Sequence, residues 1–391
     1  MFKYKYIAIV AVCVFIAQCK SPLKKVEDIK SLRTIDFGKI VKIKTSEIIS
    51  NFTFIHLETT ENSLIGNINQ IEIYNDNIYI LDKNITNSLY IFSNCGKFLN
   101  KIKNQGNGPG EFISPSSFYI DKRGFLLIYD MQLGRLLKYD LKSLRFIEEI
   151  KMPFYGSKSV FVLSYDNLFL YYGNNGKDGN EKCDMLNIVD EMGNVHRTFL
   201  KAKPIDRMMH GNQNNFYEFS GKIYFYPHFS NKIYAVSKDS INCAYELFFG
   251  DNKMVDIDLY SKSGNSIDFF KKVLMGNEDW IRLLYVYEND SNLIVKYYIK
   301  KDLFMGIYEK ISGKVVNFKY SDVTDDSGIG GKLPLPIGVY GDQFIAQIDF
   351  SDIDKADLRN DRLKKIIDVS SENTNPILMI YSINGKVGMK Q

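Results

Sequence analysis

A turn residue followed by a run of alternating apolar residues recurs six times along this chain of 391 residues. The opening turns fall at Asn77, Gly124, Asn167, Gly221, Asn292 and Asp342. The run after the first, Ile78-Tyr79-Ile80-Leu81-Asp82, is echoed by Leu126-Leu127-Ile128-Tyr129-Asp130 and by Ile223-Tyr224-Phe225-Tyr226. A second turn recurs as Asn94-Cys95-Gly96-Lys97, Met192-Gly193-Asn194, Ser312-Gly313-Lys314 and Asn384-Gly385-Lys386. Short alternating runs bounded by Asn, Asp and Gly are antiparallel strands joined by tight turns. A four-strand unit repeated six times predicts an all-β fold, a six-bladed β-propeller of four-stranded antiparallel blades.

The strands group into blades by position. Blade one reads as 68–74, 78–82, 89–93 and 98–103, and blade two as 117–121, 126–130, 136–140 and 146–151. Blade three reads as 159–164, 168–172, 185–190 and 195–200, and blade four as 216–219, 222–227, 232–237 and 244–249. Blade five is 285–288, 293–300, 304–310 and 315–320. Blade six is 337–340, 343–350 and 378–382, with a weak last run at 386–389. The segment from Phe52 to Glu58 is a good strand without a partner. Pairing it with blade six would join the chain ends and remove a free sheet edge. Two stretches break the pattern. Apolar spacing over 267–284 and again over 353–369 predicts short helical insertions in blades five and six.

The first residues carry Lys3 and Lys5, then an apolar run from Tyr6 to Ala17, then Cys19. A basic start before a short apolar run is a secretory signal, too short to span a bilayer as a stable helix. Phe15-Ile16-Ala17-Gln18-Cys19 resembles a bacterial lipobox, with Gln18 in place of the usual small residue. Processing there makes Cys19 the lipidated first residue. The organisation read from the sequence is a signal over 1–18, a tether and lead-in over 19–50, and the propeller over 51–391. The 50 basic and 46 acidic residues nearly balance, so no strong field is available to hold nucleic acid. Beyond the signal and Cys19, Cys95, Cys183 and Cys243 match no metal-binding spacing.

The densest local motif is Gly106-Asn107-Gly108-Pro109-Gly110-Glu111-Phe112. A Gly-rich loop can cradle phosphate, but no Gly-Lys-Ser/Thr follows and the loop joins two strands instead of opening a helix. It reads as an inter-blade turn in which Gly106, Gly108 and Gly110 serve backbone geometry, Gly108 at positive φ, and Phe112 packs between blades one and two. Together with Leu57-Glu58-Thr59-Thr60, Leu64-Ile65-Gly66, the Ile78–Asp82 run, Phe92 and Gly96-Lys97, this loop resembles the six-bladed β-propeller lipoproteins related to the NHL group, abundant in gut bacteria of the Bacteroides type. The likeness is strong from about Leu57 to Asp140. It implies an exported, lipid-anchored protein of the cell envelope, at the outer membrane, and a binding role. It supplies no reaction and no site residues.

The motifs of zinc peptidases, serine hydrolases and dithiol enzymes are absent, and His56, His196, His210 and His228 are scattered over different blades. No cofactor, metal ligand or catalytic residue is expected. A ligand would sit on the face built from the loops between blades and between middle strands. There Arg135, Arg207, His210, His228 and Trp280 could grip a polar or aromatic partner. The expected function is a binding or scaffold module at the cell envelope, held to the membrane by its N-terminal lipid and engaging a peptide, glycan or protein. The alternative is a hydrolase or lactonase with a metal-assisted site in the central channel.

Overall fold

Pairs of residues at positive φ set the hairpins. Asn75 and Asp76 sit at φ 46° and 60°, and Ser220 and Gly221 at 50° and 69°. Two such residues in succession match the right-handed twist of the strands they join. The computed structural model describes residues 32–152, 159–163, 169–172, 184–200, 215–255, 266–269, 271 and 279–385. No helix among them is long and apolar enough to cross a membrane.

The described chain opens with β1 (Arg33–Asp36), α1 (Thr45–Ile48) and β2 (Ile49–His56). Blade one follows as β3 (Gln70–Tyr74), β4 (Asn77–Asp82), β5 (Ser88–Ser93) and β6 (Phe98–Ile102). Blade two is β7 (Pro115–Asp121), β8 (Phe125–Asp130), β9 (Arg135–Asp140) and β10 (Phe146–Lys151). Blade three is β11 (Ser159–Val162), β12 (Phe169–Tyr172), β13 (Leu186–Val189) and β14 (Val195–Phe199). Blade four is β15 (Phe216–Phe219), β16 (Lys222–Phe225), β17 (Lys232–Val236) and β18 (Ile241–Phe248). After β19 (Lys253–Met254) and α2 (Ser266–Phe269), blade five is β20 (Trp280–Glu288), β21 (Asn292–Ile299), β22 (Asp302–Glu309) and β23 (Val315–Lys319). Then come β24 (Ile329–Gly331), β25 (Pro336–Tyr340), β26 (Gln343–Ile348), β27 (Ile353–Leu358), α3 (Asp361–Asp368) and β28 (Ile377–Ile383).

The four strands of each blade run antiparallel, with β19 added in parallel beside β20, and the first strands of blades five, six, one, two and three neighbour one another in that order. The second strands are buried on both faces, as in β4 and β8, because each blade packs against two others. Their cores merge: Leu81, Ile91 and Phe112 lie in one cluster with Phe118, Leu126 and Ile128.

Blade six closes the ring. Its order is β2-β28-β26-β25, so the N-terminal strand fills the outermost place. Ile49 lies opposite Ile383 and His56 opposite Ile377. The weak run at 386–389 lies outside the described residues. Phe54 on β2 is buried in a core shared with blades five and six.

Three readings of the sequence need correction. The lead-in over 19–50 is not all tether, because from Arg33 it belongs to the ring. β1 adds a fifth, parallel strand to blade four. The chain then passes blade five, bridging Ile40 to Asn317, and reaches blade six. Phe37 anchors this belt, stacked on Phe249 with ring centroids 5.8 Å apart. Its ring lies over Gly306, where a Cβ would stand 2.5 Å away. Of the helix expected over 267–284, α2 bears out the start, Trp280–Glu288 is strand, and 270 and 272–278 lie outside the described residues. That expected over 353–369 is half strand: β27 pairs with β24 before α3 begins. Asn360 caps α3, its side chain accepting from Leu363 N at 3.0 Å. Within 267–284, apolar residues suited to a helix are equally suited to a strand buried on both faces, and period alone does not separate the two.

Ring closure is testable through Phe54. Phe54→Ala should lower stability by about 3–5 kcal/mol in a chemical melt, whereas Phe52→Ala, at a partly buried position of the same strand, should cost markedly less.

Candidate functional site

Among the described links, those between first and second and between third and fourth strands lie at one end of the ring. The links between second and third strands and between blades lie at the other. The first end carries tight turns such as 75–76 and 220–221. The second carries the long segments, including 103–114, 320–335 and 349–376.

Blades one and two show how these long loops are pinned. Asp82, the last residue of β4, and Asp130, the last of β8, are both fully buried. Asp82 accepts from Gly66 N at 2.8 Å in the loop before the blade and from Ile85 N at 3.0 Å in the loop after β4. Asn67 N, Asn84 N and Thr86 Oγ1 complete its shell. Asp130 does the same work, accepting from Ile113 N at 2.7 Å and from Gln132 N and Leu133 N at 2.9 and 3.0 Å. A buried carboxylate is sustained by such a set of N–H donors. The aspartates ending the Ile78–Asp82 and Leu126–Asp130 runs are therefore loop clamps.

The Gly106–Phe112 loop is held in the same way. Gly106 and Gly110 take φ 155° and 72°. Gly108 does not take positive φ, contrary to the sequence reading; its N–H donates to Glu111 Oε2 at 2.7 Å. The loop's own carboxylate thus occupies the place an anion would need. Arg135, at the start of β9, donates to Glu111 O at 2.6 Å and Glu149 Oε2 at 2.6 Å, and at 3.4 Å to the carbonyls of Asn107 and Gly108. Tyr139 Oη donates to Gly110 O at 2.8 Å, and Phe112 is fully buried. Arg135 is buried and committed to the loop, not offered to a partner.

The other proposed face residues are dispersed. Arg207 and His210 lie outside the described residues, as do Cys19 and Cys183. His228 is buried beside Phe229. Trp280 begins β20, partly buried, paired with Lys253. Cys95 and Cys243 are free thiols. Among the described residues no three His, Cys, Asp or Glu side chains are grouped to hold a metal ion. At the axis, Glu72 on β3 has its carboxyl pushed up to about 8 by burial and by the charge of Glu218 on β15, with Lys122 opposing. Lys122 is itself paired to Glu218 at 2.8 Å.

Blade six departs from the clamp. The position that faces the first residue of the third strand is Asp82 in blade one and Asp130 in blade two, but Tyr172 in blade three, Ile299 in blade five and Ile348 in blade six. In blade six β24 and β27 join the flanking loops instead, and a cleft of about 640 Å³ lies on the long-loop face between blades five and six. Ile329, Leu335, Ile337, Ile348 and Ile353 give it apolar walls, with Lys332, Asp349 and Asp352 among its polar groups. Gln347 Nε2 donates to Asp349 Oδ1 at 2.7 Å. Tyr320 Oη donates to Leu333 O at 2.9 Å, fixing the inter-blade strand; burial and then the charge of Asp352 push that phenol up to about 12. Lys296 of β21 also lines the cleft. It is 7 % exposed, and burial pushes its ammonium down to about 7. Sequence reading missed it because Ile294-Val295-Lys296-Tyr297 looks like an ordinary strand with one solvent-facing charge.

Two measurements check this account. Gly110→Ala should cost about 1–3 kcal/mol, since φ is 72° and the new Cβ would lie 2.7 Å from the Phe146 ring; Gly108→Ala should cost less, meeting only the Glu111 carboxylate. For Glu72 the folded state holds its proton more tightly than the unfolded chain, so its contribution to stability falls as pH rises from about 4.5 to about 8. Glu72→Gln should therefore flatten the melting temperature across that window and raise it at pH 9.

The chain matches the family described as 6-bladed beta-propeller over residues 24–347. A crystal structure from Bacteroides fragilis, of a protein provisionally named as exported, is 23% identical with a TM-score of 0.80, covering 90% of this chain and 100% of that one. A Bacteroides caccae protein of unknown function is 17% identical over 36% of this chain and 50% of its own, with a TM-score of 0.29. No curated protein matches the chain.

Proposed function

Because the chain belongs to the six-bladed β-propeller family, we propose that it is an exported binding module, anchored at the cell envelope by lipid on Cys19, that receives its ligand on the long-loop face. The observation that carries this reading is the cleft between blades five and six. The strands on either side are buried, and the paired β24 and β27 frame the cleft. A concave, mostly apolar site with a few convergent polar groups, mounted on a stiff scaffold, is the usual form of a small-ligand or peptide-end pocket. The signal over 1–18 and the lipobox at Cys19 supply the export and the membrane attachment, with the outer membrane as the expected location.

Replacing Cys19 by Ala should move the protein from the membrane to the soluble fraction and abolish the mobility shift that lipidation gives; unchanged fractionation would remove the anchor from the proposal. For binding, soluble oligosaccharides and short peptides should be titrated against wild type and against Leu335→Trp, whose indole would fill the cleft. Any probe that binds this site should lose at least about tenfold in affinity in the variant, or 1.4 kcal/mol, with little change in melting. Probes that bind both proteins equally would place the site elsewhere.

A further inference from the structure

From the cleft between blades five and six, and resting on the binding role assigned to it above, we infer that the site takes the carboxylate of a small acidic ligand, with Lys296 as its counter-ion. A lysine ammonium carries three donor hydrogens. Among the described residues Lys296 Nζ makes one hydrogen bond, to Pro336 O at 2.7 Å, and lies 4.7 and 5.0 Å from the ring centroids of Tyr285 and Tyr287. No carboxylate among the described residues is within ion-pair distance of it. Cation–π contact offsets part of the desolvation of the charge but takes none of the remaining donors in a directed bond. Burying an ammonium without a counter-ion is costly, and the arrangement becomes favourable when an anion completes it.

The rest of the lining narrows the class of anion. Asp349 is partly buried and Asp352 is exposed. Their charges disfavour a dianion such as a phosphate monoester and favour a ligand that carries hydrogen-bond donors beside a single negative charge. Two chemistries meet that demand: an amino acid, whose ammonium would face the aspartates, and an acidic sugar, whose hydroxyls would do so. The apolar walls at Ile329, Leu335 and Ile353 suit the remainder of either.

The test is calorimetric titration of the full folded chain with glucuronate and galacturonate, and with leucine and phenylalanine, each beside its neutral counterpart: the sugar, or the amino-acid amide. At least one carboxylate should bind, its neutral counterpart should bind at least about tenfold more weakly, and Lys296→Met should reproduce that loss. Which pair responds separates the sugar from the amino-acid source. Lys296→Met removes a buried charge and should melt no lower than wild type, and the neutral-ligand comparison on wild type reports independently of that variant. Equal affinity for acid and neutral forms, or a carboxylate affinity indifferent to Lys296→Met, would overturn the inference. So would failure of every carboxylate to bind; if neutral peptides or oligosaccharides still distinguished wild type from Leu335→Trp, the binding role of the cleft would stand while its counter-ion did not.

Discussion

Everything in this ring depends on one antiparallel pairing between strands far apart in sequence, β2 with β28. Five blades are built from consecutive strands, which form locally. The sixth cannot be completed until residues 49–56 return to residues 377–383. Without that pairing β28 would present a free edge and the cores of blades five and six would be open on one side. The belt from Arg33 to Ile48 extends the same device, binding to the outer strands of blades four and five before the closing strand is reached. Asn375 locks the seam from within: its side chain accepts from Ile65 N at 2.8 Å and donates to the carbonyls of Glu58 and Ser63 at 2.8 and 2.9 Å.

A second constraint decides where the ring is tight and where it is open. The two faces of a propeller differ because strand alternation sends every inter-blade link to one side. Those links are long and would be loose unless tied, and blades one and two tie them with a buried aspartate each. An aspartate there must be satisfied by backbone N–H groups, so it draws the preceding and following loops onto the strand end. Where Ile348 takes its place, the flanking loops are tied instead by the pairing of β24 with β27. Room is left for a ligand, and the inserted β27 and α3 form part of the surrounding structure.

The blade strands were legible in the sequence because their signal is local and repeated: Asn-Asp and Ser-Gly turns, alternating apolar runs, and Asp at strand ends. The closing strand was legible because Phe52–Glu58 had no neighbour with which to pair. Less local features were not. β1 is a parallel addition whose partner lies more than 200 residues away, and four residues carry too little pattern to announce it. Trp280–Glu288 and Ile353–Leu358 were misread because their apolar spacing satisfies helix and strand alike, and the choice is made by the strands beside them. Arg135 was legible as a special residue but not in its role, since its partners are backbone carbonyls, which sequence does not display. Lys296 left no signal at all: its meaning comes from Tyr285 and Tyr287 on β20 and Pro336 on β25, two strands that folding brings to it.

That last point bears on how a fold of this kind acquires a site. A strand residue in a blade interior is normally apolar, and Lys296 interrupts a buried run with no carboxylate among the described residues to balance it. Two tyrosine rings and one carbonyl lower the cost of the charge in the free protein, while burial pushes the ammonium down to about 7. The unfolded chain binds that proton more tightly, so the lysine lowers stability most below about 7, where it stays charged, and that cost fades as pH rises from about 7 toward the usual lysine range, above which it is gone. A residue that costs stability and sits at the wall of a cleft is better understood as a recognition group than as a packing element, because packing alone would favour methionine or leucine at the same place.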